Sequence, residues 1–487
     1  MRLVRWLRGV FGRSARPAPV PGAPATPLAG TATFAIVTAD PKPWCPGHHG
    51  RVACVADAAA ARSDWVVFHA PGTTPRPDAL HVLADAIARH ATAAFVFGDA
   101  VGSDGKPWHK PGWSPALLLA QPYAADLFAV RRDRLTGIAP SGVADAVAIY
   151  ELALRATANG NVVHVPSLMV TAPAATRLSP GHAVVSADFL ARLGLDATVT
   201  PHPAAPVLRL SMRPRTRTPI TVIVPTRDRI DLLRTCIDSV LRHRGEHDLR
   251  VLIVDNNSVE PATLAAFAQW QQDGRVDVLR DERPFDYAAL MNVAVAAART
   301  PLVLLLNNDT EVLSPDWLDQ LAGWLDLPDV AAVGAKLYHG DGTIQHAGVL
   351  VGVGGVASHG HKNFPRDHAG YHGLLHSVRD VSAATAACLL VRRDAWLQVG
   401  GMKSELKVAY NDVDFCLELR ARGHRILWTP LAELHHFEGK SRGKDNRGQA
   451  RFEQEIAFFQ SRWADVIAAD PFYNRNLSLR HVDYRPR

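Results

Sequence analysis

ITVIVPTRDR, residues Ile220 to Arg229, is a short β-branched run that stops at a Pro-Thr turn, and the fold is read outward from it. A helical pattern follows over Asp231 to His243, with Leu232, Leu233, Cys236, Ile237, Val240 and Leu241 on one face. LRVLIVDNN, Leu249 to Asn257, reads as a second buried strand, and a helix is expected around Ala262 to Gln272. The strand Arg275 to Leu279 then precedes a helix from Tyr287 to Ala298, and the very apolar Leu302 to Leu306 ends at Asn307-Asn308-Asp309. Strands alternating with helices at this spacing predict an α/β fold with a parallel sheet and helices on both faces. Such sheets bind ligands at the carboxyl ends of their strands. Asp255 and Asp309 both stand where an apolar run stops, which makes them the first functional candidates.

At 487 residues the chain is too long for one ordinary core, so two domains with appendages are expected. Residues 1–30 combine a basic, apolar start (MRLVRWLRGVFG, Met1 to Gly12) with a Pro- and Ala-rich linker ending at Gly30. A second break, bracketed by PHPAAP and RPRTRTP, separates a first domain (31–210) from a second (219–447), and residues 448–487 are left for a C-terminal helix and tail. The net charge of +6 suits an acidic partner, but no basic stripe with aromatic interleaving is present, so no nucleic acid is expected. The five cysteines are few, odd in number and without metal-ligand spacing, which favours a reduced, cytoplasmic setting. No apolar run reaches spanning length, and Arg2, Arg5 and Arg8 among apolar residues suit peripheral contact with an anionic surface, such as the cytoplasmic face of an inner membrane.

Each candidate residue has a functional and a plainer reading. Asp309 can grip Mg²⁺ or Mn²⁺ through oxygen, or merely form a turn with Asn308. Asp255, followed by Asn256, Asn257 and Ser258, can accept hydrogen bonds from a ribose or base, or cap the next helix. Pro225 and Thr226 offer a rigid turn to edge a base. In YNDVDFCLELRARGHRI (Tyr410 to Ile426), Asp412 falls near a helix start, where the dipole favours its ionised form. It can take a proton from a hydroxyl or simply cap the helix. His435 or His436 can complete a metal site that has one carboxylate, and Lys440, Arg442 and Lys444 can close over a phosphate.

Taken in order, PTRDR, LIVDNNS, LLLNNDTEV, DVSAATAACLLVRRDAW, YNDVDFCLELRARGHR and AELHHFEGKSRG resemble the family 2 glycosyltransferases of GT-A fold. The resemblance is nearest to the bacterial branch that builds O-antigen and other surface polysaccharides, and DPFYNRNLSL (Asp470 to Leu479) shares it. It implies a Rossmann-like nucleotide-diphospho-sugar transferase domain in which Pro225, Thr226, Asp255, Asn257, Asn308 and Asp309 bind the donor. It also implies that Asp309 and His436, less readily His435, hold a divalent metal, and that Asp412 is the catalytic base of an inverting hexosyl or deoxyhexosyl transfer. The implied partners are a nucleotide-diphospho-sugar and a glycan or lipid-linked glycan acceptor. Two positions depart from the family pattern: Asn307-Asn308 replace carboxylates common before Asp309, and Asn411 replaces a Glu before Asp412.

The first domain resembles a decayed copy of the second. Setting Pro77-Asp78 on Pro315-Asp316 aligns DWVVFHAPGTTPRPDAL without gaps and puts Pro71 at the place of Asp309; similar matches put Val147 at Asp412 and Ala172 at His436. With about 31–63 alone ahead of this alignment, the nucleotide-side strands are expected to be missing, leaving a truncated, inactive GT-A-like domain that helps hold an acceptor. The segment Gly102 to Tyr123 resembles the acceptor side of tandem family members. The alternative for the whole chain is a non-catalytic glycan-binding or scaffold protein of a polysaccharide-synthesis complex, favoured if Asp412 and Asp309 lie far apart. A nicotinamide dehydrogenase is disfavoured, because PTRDR has no glycine after the first strand.

Overall fold

A computed structural model of the chain describes residues 30–37, 52–55, 61–136, 145–158, 160–173, 178–272, 274–437 and 449–487. The segment Met1 to Gly12, the linker as far as Ala29 is not reached, Cys45, and Lys440, Arg442 and Lys444 lie outside these residues. Two compact units are formed, Met1–Phe189 with Thr200–Leu208, and Leu190–Val199 with Arg209–Arg487.

The first unit is built from β1 (Phe34–Val37), β2 (Val52–Val55), β3 (Trp65–His69), β4 (Thr74–Pro75), α1 (Ala79–Arg89), β5 (Ala93–Gly102), β6 (Pro107–Trp108), α2 (Pro115–Ala120), β7 (Leu127–Arg131), α3 (Ala146–Thr157) and β8 (Asn161–Ala172). Its strands form one sheet in the order β2-β1-β3-β7-β5-β8-β4, with β6 paired to β5. Helix α1 buries Leu80, Leu83, Ala84 and Ile87 at helical spacing. Phe128 stacks on Phe95 and Phe68 at 4.8 and 5.5 Å, so this core is aromatic at its centre. The chain continues through α4 (Pro180–Arg192), β9 (Asp196–Pro201) and β10 (Leu208–Arg213).

In the second unit follow β11 (Ile220–Thr226), α5 (Ile230–Arg242), β12 (Leu249–Asp255), α6 (Pro261–Gln272), β13 (Val276–Arg280), α7 (Tyr287–Ala297), β14 (Leu302–Leu306), β15 (Thr310–Val312), α8 (Trp317–Ala322) and β16 (Val330–Tyr338). After them come β17 (Ile344–His346), β18 (Val349–Val351), β19 (Ala357–His359), β20 (Arg379–Asp380), β21 (Cys388–Arg392), α9 (Arg393–Val399), α10 (Asn411–Ala421), β22 (Arg425–His436) and α11 (Ala450–Ala468). The main sheet runs β13-β12-β11-β14-β21-β16-β22-β15, with β17 on β16 and β20 on β22. The expected parallel sheet holds only from β13 to β14. Beyond it the sheet is mixed: β21 runs antiparallel to both β14 and β16. Antiparallel neighbours need no helical crossover, so the alternation of strand and helix in the sequence gives no sign of them.

The two sheets share strand order and direction. β1 lies parallel to β2 and β3 as β11 does to β12 and β14, and β7, β5, β8 and β4 match β21, β16, β22 and β15. The nucleotide-side strands expected to be missing are therefore present as β1 and β2. At four residues each they are too short to announce themselves by periodicity, and among the described residues the first sheet lacks counterparts of β13 and β20. The pairing also corrects the alignment. Thr74 opposes Thr171 as Glu311 opposes His435, and the Thr73 hydroxyl donates to the Ala70 carbonyl as Thr310 does to Asn307. Gly72, not Pro71, thus stands at the place of Asp309. The connection from β4 to α1 is one residue shorter than that from β15 to α8, which a gapless alignment hides.

Gly334 on β16 faces the segment that leads into β21. A Cβ built there would lie 2.4 Å from the Cβ of Ala384, far inside contact distance. Gly334→Ala should overpack this contact and destabilise the protein by about 1–3 kcal/mol, read as a lower urea midpoint at unchanged slope.

Candidate active site

Strand β14 ends at Leu306, and the turn after it carries Asp309 beside the last residue of β22. Asp309 Oδ1 lies 3.2 Å from His436 Nε2, and both side chains are almost wholly buried. Alternation along β22 turns His435 the other way, toward Glu311 and the Tyr338 ring. The ring orientation of His436 is fixed by Gln345. That amide donates through Nε2 to the His436 carbonyl (3.2 Å), so its Oε1 accepts from His436 Nδ1 at 2.6 Å. With the proton of the uncharged tautomer on Nδ1, Nε2 is left to accept from Asn307 Nδ2 (3.1 Å) and lies against the Asp309 carboxylate.

Two acceptors, a carboxylate oxygen and an imidazole nitrogen, therefore face one another. A hard divalent cation between them satisfies both, with the second-sphere amide that ligating imidazoles ordinarily use. The residues fit such an ion as a two-donor set. Among the described residues no cluster of three or more His, Cys, Asp or Glu suited to a metal occurs.

The nucleotide-side candidates gather at the ends of β11 and β12. Asp255 closes β12 with Oδ1 accepting from the Ser258 N–H (2.9 Å) and Oδ2 bound by Arg280 at 2.5 Å. The plainer reading of Asp255 is therefore partly realised, since it fixes the turn as well as the strand end. Asn257 adopts φ 66° and donates to the Glu282 carbonyl, a left-handed position that asparagine tolerates. Asn308 Nδ2 donates to the Thr226 hydroxyl at 2.9 Å, and that hydroxyl donates to the Asp228 carbonyl. Thr226 thus ties the β14 turn to the β11 turn. Pro225 comes two residues after Ile223, where the pairing with β14 ends, so its missing N–H costs that ladder nothing.

Asp412 lies in the first turn of α10, but it does not cap the helix: the N-cap is Tyr410, without a side-chain bond. Its Oδ2 accepts from the Ala386 N–H at 3.0 Å, while the next carbonyl of that segment, Ala387, accepts from the Asn307 N–H at 3.1 Å. Asp412 and the Asp309 turn therefore hang from adjacent residues, Ala386 and Ala387, and the two candidates are brought onto one segment. Asp412 is half-buried, and burial pushes its carboxyl above the ordinary carboxylate range despite N–H bonds that oppose the shift. The helix dipole expected to favour the ionised form is opposed here by desolvation. Tyr287, whose phenol is pushed upward first by burial and then by Asp412, reaches toward the Ala386 carbonyl at 3.5 Å.

Sequence reasoning missed Gln345, Tyr287, Arg280 and the Thr385–Ala386 peptide. Gln345 lies in a Gly- and His-rich stretch whose conformation no periodicity reveals, and the peptide acts through its backbone.

A strand-end acid, a facing imidazole and a half-buried carboxylate thus share the carboxyl edge of this sheet. Residues 221–384 match the family model described as Glycosyl transferase family 2, which marks this region as a family 2 glycosyltransferase domain. The protein y4gI of Sinorhizobium fredii is 38% identical over 438 residues, covering 84% of this chain and 48% of that protein. The O-antigen biosynthesis protein RfbC of Myxococcus xanthus is 34% identical over 444 residues, covering 87% and 34%. The chain thus spans half or less of these curated relatives. A crystal structure of GalNAc-T7 with UDP, GalNAc and Mn²⁺ superposes with TM-score 0.42 at 13% identity, covering 54% of this chain and 52% of that one.

Because the folded-state pKa of Asp412 is raised, folding holds its proton more tightly than the unfolded chain does. The associated stability is complete below the usual carboxylate range and is lost as pH rises through the raised value. Asp412→Asn should therefore raise the melting temperature at pH 7, with the gain shrinking to nothing near pH 3. Calorimetry of both proteins across that range checks the sign.

Proposed function

We propose that the second unit is an inverting glycosyltransferase that moves a hexosyl or deoxyhexosyl group from a nucleotide-diphosphate donor to a hydroxyl of a glycan or lipid-linked glycan, in the synthesis of a bacterial surface polysaccharide such as O-antigen or exopolysaccharide. The observation that carries this reading is that Asp412 and the Asp309 turn are held by adjacent residues of one segment, Ala386 and Ala387. The kinship with a protein named for O-antigen biosynthesis supports the acceptor class.

In this reading Pro225, Thr226, Asp255 and Asn257 edge the nucleotide, and Asn308 and Asp309 face its diphosphate. Asp309 and His436 would hold Mg²⁺ or Mn²⁺, which when bound neutralises charge on the leaving diphosphate. Asp412 accepts the proton of the acceptor hydroxyl as that oxygen bonds to the anomeric carbon. The bond from this carbon to the diphosphate oxygen breaks on the opposite face, so one displacement inverts the configuration. A carboxyl raised by burial suits a base, because a carboxylate of higher pKa draws a proton more strongly.

The first unit takes a different part. Gly72, Val147 and Ala172 stand where Asp309, Asp412 and His436 do, and none of these side chains can bind a metal or move a proton. It is a transferase-like domain without chemistry that helps hold the acceptor glycan. Among the described residues no helix is long and apolar enough to cross a membrane, so a lipid-linked acceptor would be met by peripheral contact with the cytoplasmic face of the inner membrane.

Purified protein offered UDP-, GDP- and dTDP-linked hexoses and deoxyhexoses should release nucleoside diphosphate from a subset of them. Asp412→Asn should lower that rate by about 10²–10⁴-fold while leaving donor binding by calorimetry nearly intact. Full activity in this variant removes the proposed base. Asp309→Ala or added EDTA should instead weaken donor binding, and indifference to both removes the metal.

A further inference from the structure

The stretch His339 to His376 holds a histidine pair that the mechanism above leaves unused. His346, at the end of β17, is fully buried, and both ring nitrogens are engaged. Nδ1 lies 2.7 Å from Nδ1 of His359 on β19, with the rings edge to face at 4.9 Å. Nε2 accepts from the backbone N–H of Thr385 at 3.4 Å. Thr385 is the residue before Ala386, whose N–H holds the Asp412 carboxylate, and its own side chain also bonds Asp412.

These contacts fix the protons. A backbone N–H only donates, so Nε2 of His346 must carry a lone pair, and the neutral ring has its proton on Nδ1. That proton is donated to Nδ1 of His359, which must accept and so carry its own proton on Nε2. Burial, followed by the neighbouring His359, drives the His346 pKa well below the usual range, in keeping with a neutral ring. The pair thus acts as a buried, oriented acceptor that grips one peptide of the segment on which Asp412 rests.

The duplicated sheet offers an internal comparison. His346 opposes Leu337 across β16 and β17 as Trp108 opposes Ala100 across β5 and β6. Where Asp412 is replaced by Val147, the position of His346 is thus a tryptophan, and an indole presents no acceptor nitrogen. The imidazole is found in the unit that has a carboxylate to orient and is absent from the unit that does not.

From this we infer that His346, locked by His359, is a positioning residue that holds the Ala384–Thr385 peptide and, through Thr385, sets the Ala386 N–H and with it the direction of the Asp412 carboxylate. The inference rests on the reading of Asp412 as the base. No substrate contact is assigned to either histidine; they act on the rate of the chemical step and not on donor affinity.

The test uses the full chain and release of nucleoside diphosphate from the nucleotide-sugar panel. H346A should lower kcat by about tenfold or more, as expected for a reacting group displaced by a fraction of an ångström to one ångström, with donor KM within about twofold. H346Q, whose side-chain carbonyl can still accept from Thr385, should recover most of that loss, and H359A should fall in the same direction as H346A. Wild-type kcat in H346A overturns the inference. So does equal impairment of H346A and H346Q with matching losses in melting temperature, which would make His346 a packing residue. D412N separates the two levels: if D412N keeps transferring, the base reading itself fails, whereas an inactive D412N beside a fully active H346A sinks only the role of His346.

Discussion

The second unit depends on one constraint: the residues between Ser382 and Cys388 are each claimed by a partner from another part of the fold. The Ser382 hydroxyl donates to Asp470 in the C-terminal tail at 2.6 Å, and the Ala383 carbonyl accepts from Val349. The Ala384 carbonyl faces the Cys416 thiol on α10, Thr385 meets His346, Ala386 meets Asp412, and Ala387 meets Asn307. An extended segment this short has no helix to satisfy its polar groups, so every buried N–H and C=O must find a partner elsewhere. The partners it finds bring together the end of β14, the start of α10 and the tail. The geometry of the candidate site is thus a by-product of hydrogen-bond satisfaction in one strand approach. Small side chains at Ala383, Ala384, Ala386 and Ala387 let those elements come close, and Gly334 takes the same role from the opposite strand.

The strands and helices that open the second unit were legible because each is long enough to show its period. The seven residues of β11 and β12 and the amphipathic run of α5 stand out, and strand-end acids mark where a ligand would bind. The mixed half of the sheet was not legible, since antiparallel partners separated by long, Gly-rich connections leave no local trace. The same holds for β1 and β2, whose four residues apiece fall below any periodic signal. Among site residues, Asp309 and Asp412 were visible as acids in suggestive places. Their relation to each other was not, because it runs through backbone groups of alanines that carry no chemical label.

The difference between His435 and His436 shows how little separates a site residue from a bystander. One step along β22 reverses the side-chain direction, so the sequence names the pair while only the pleat decides which ring meets Asp309. A comparable one-residue difference places Gly72 rather than Pro71 opposite Asp309. Topology is set by many apolar positions acting together and tolerates wide substitution, whereas chemistry rests on single atoms. That asymmetry explains how two units of one strand order can differ wholly in what their strand ends are able to do.

Two sheets of matching order in tandem also pose a hazard while the chain is being made. A strand emerging from synthesis meets two templates with the same polarity of edge, and mispairing between neighbouring repeats is a known failure of such proteins. The stacked rings of Phe68, Phe95 and Phe128 answer it. Their counterparts in the second sheet are Leu305, Ala332 and Leu389, so a strand that strayed into the wrong template would bring phenyl rings into an aliphatic slot or leave a void among them. Divergence of the two interiors therefore makes a strand of one sheet a poor fit in the other.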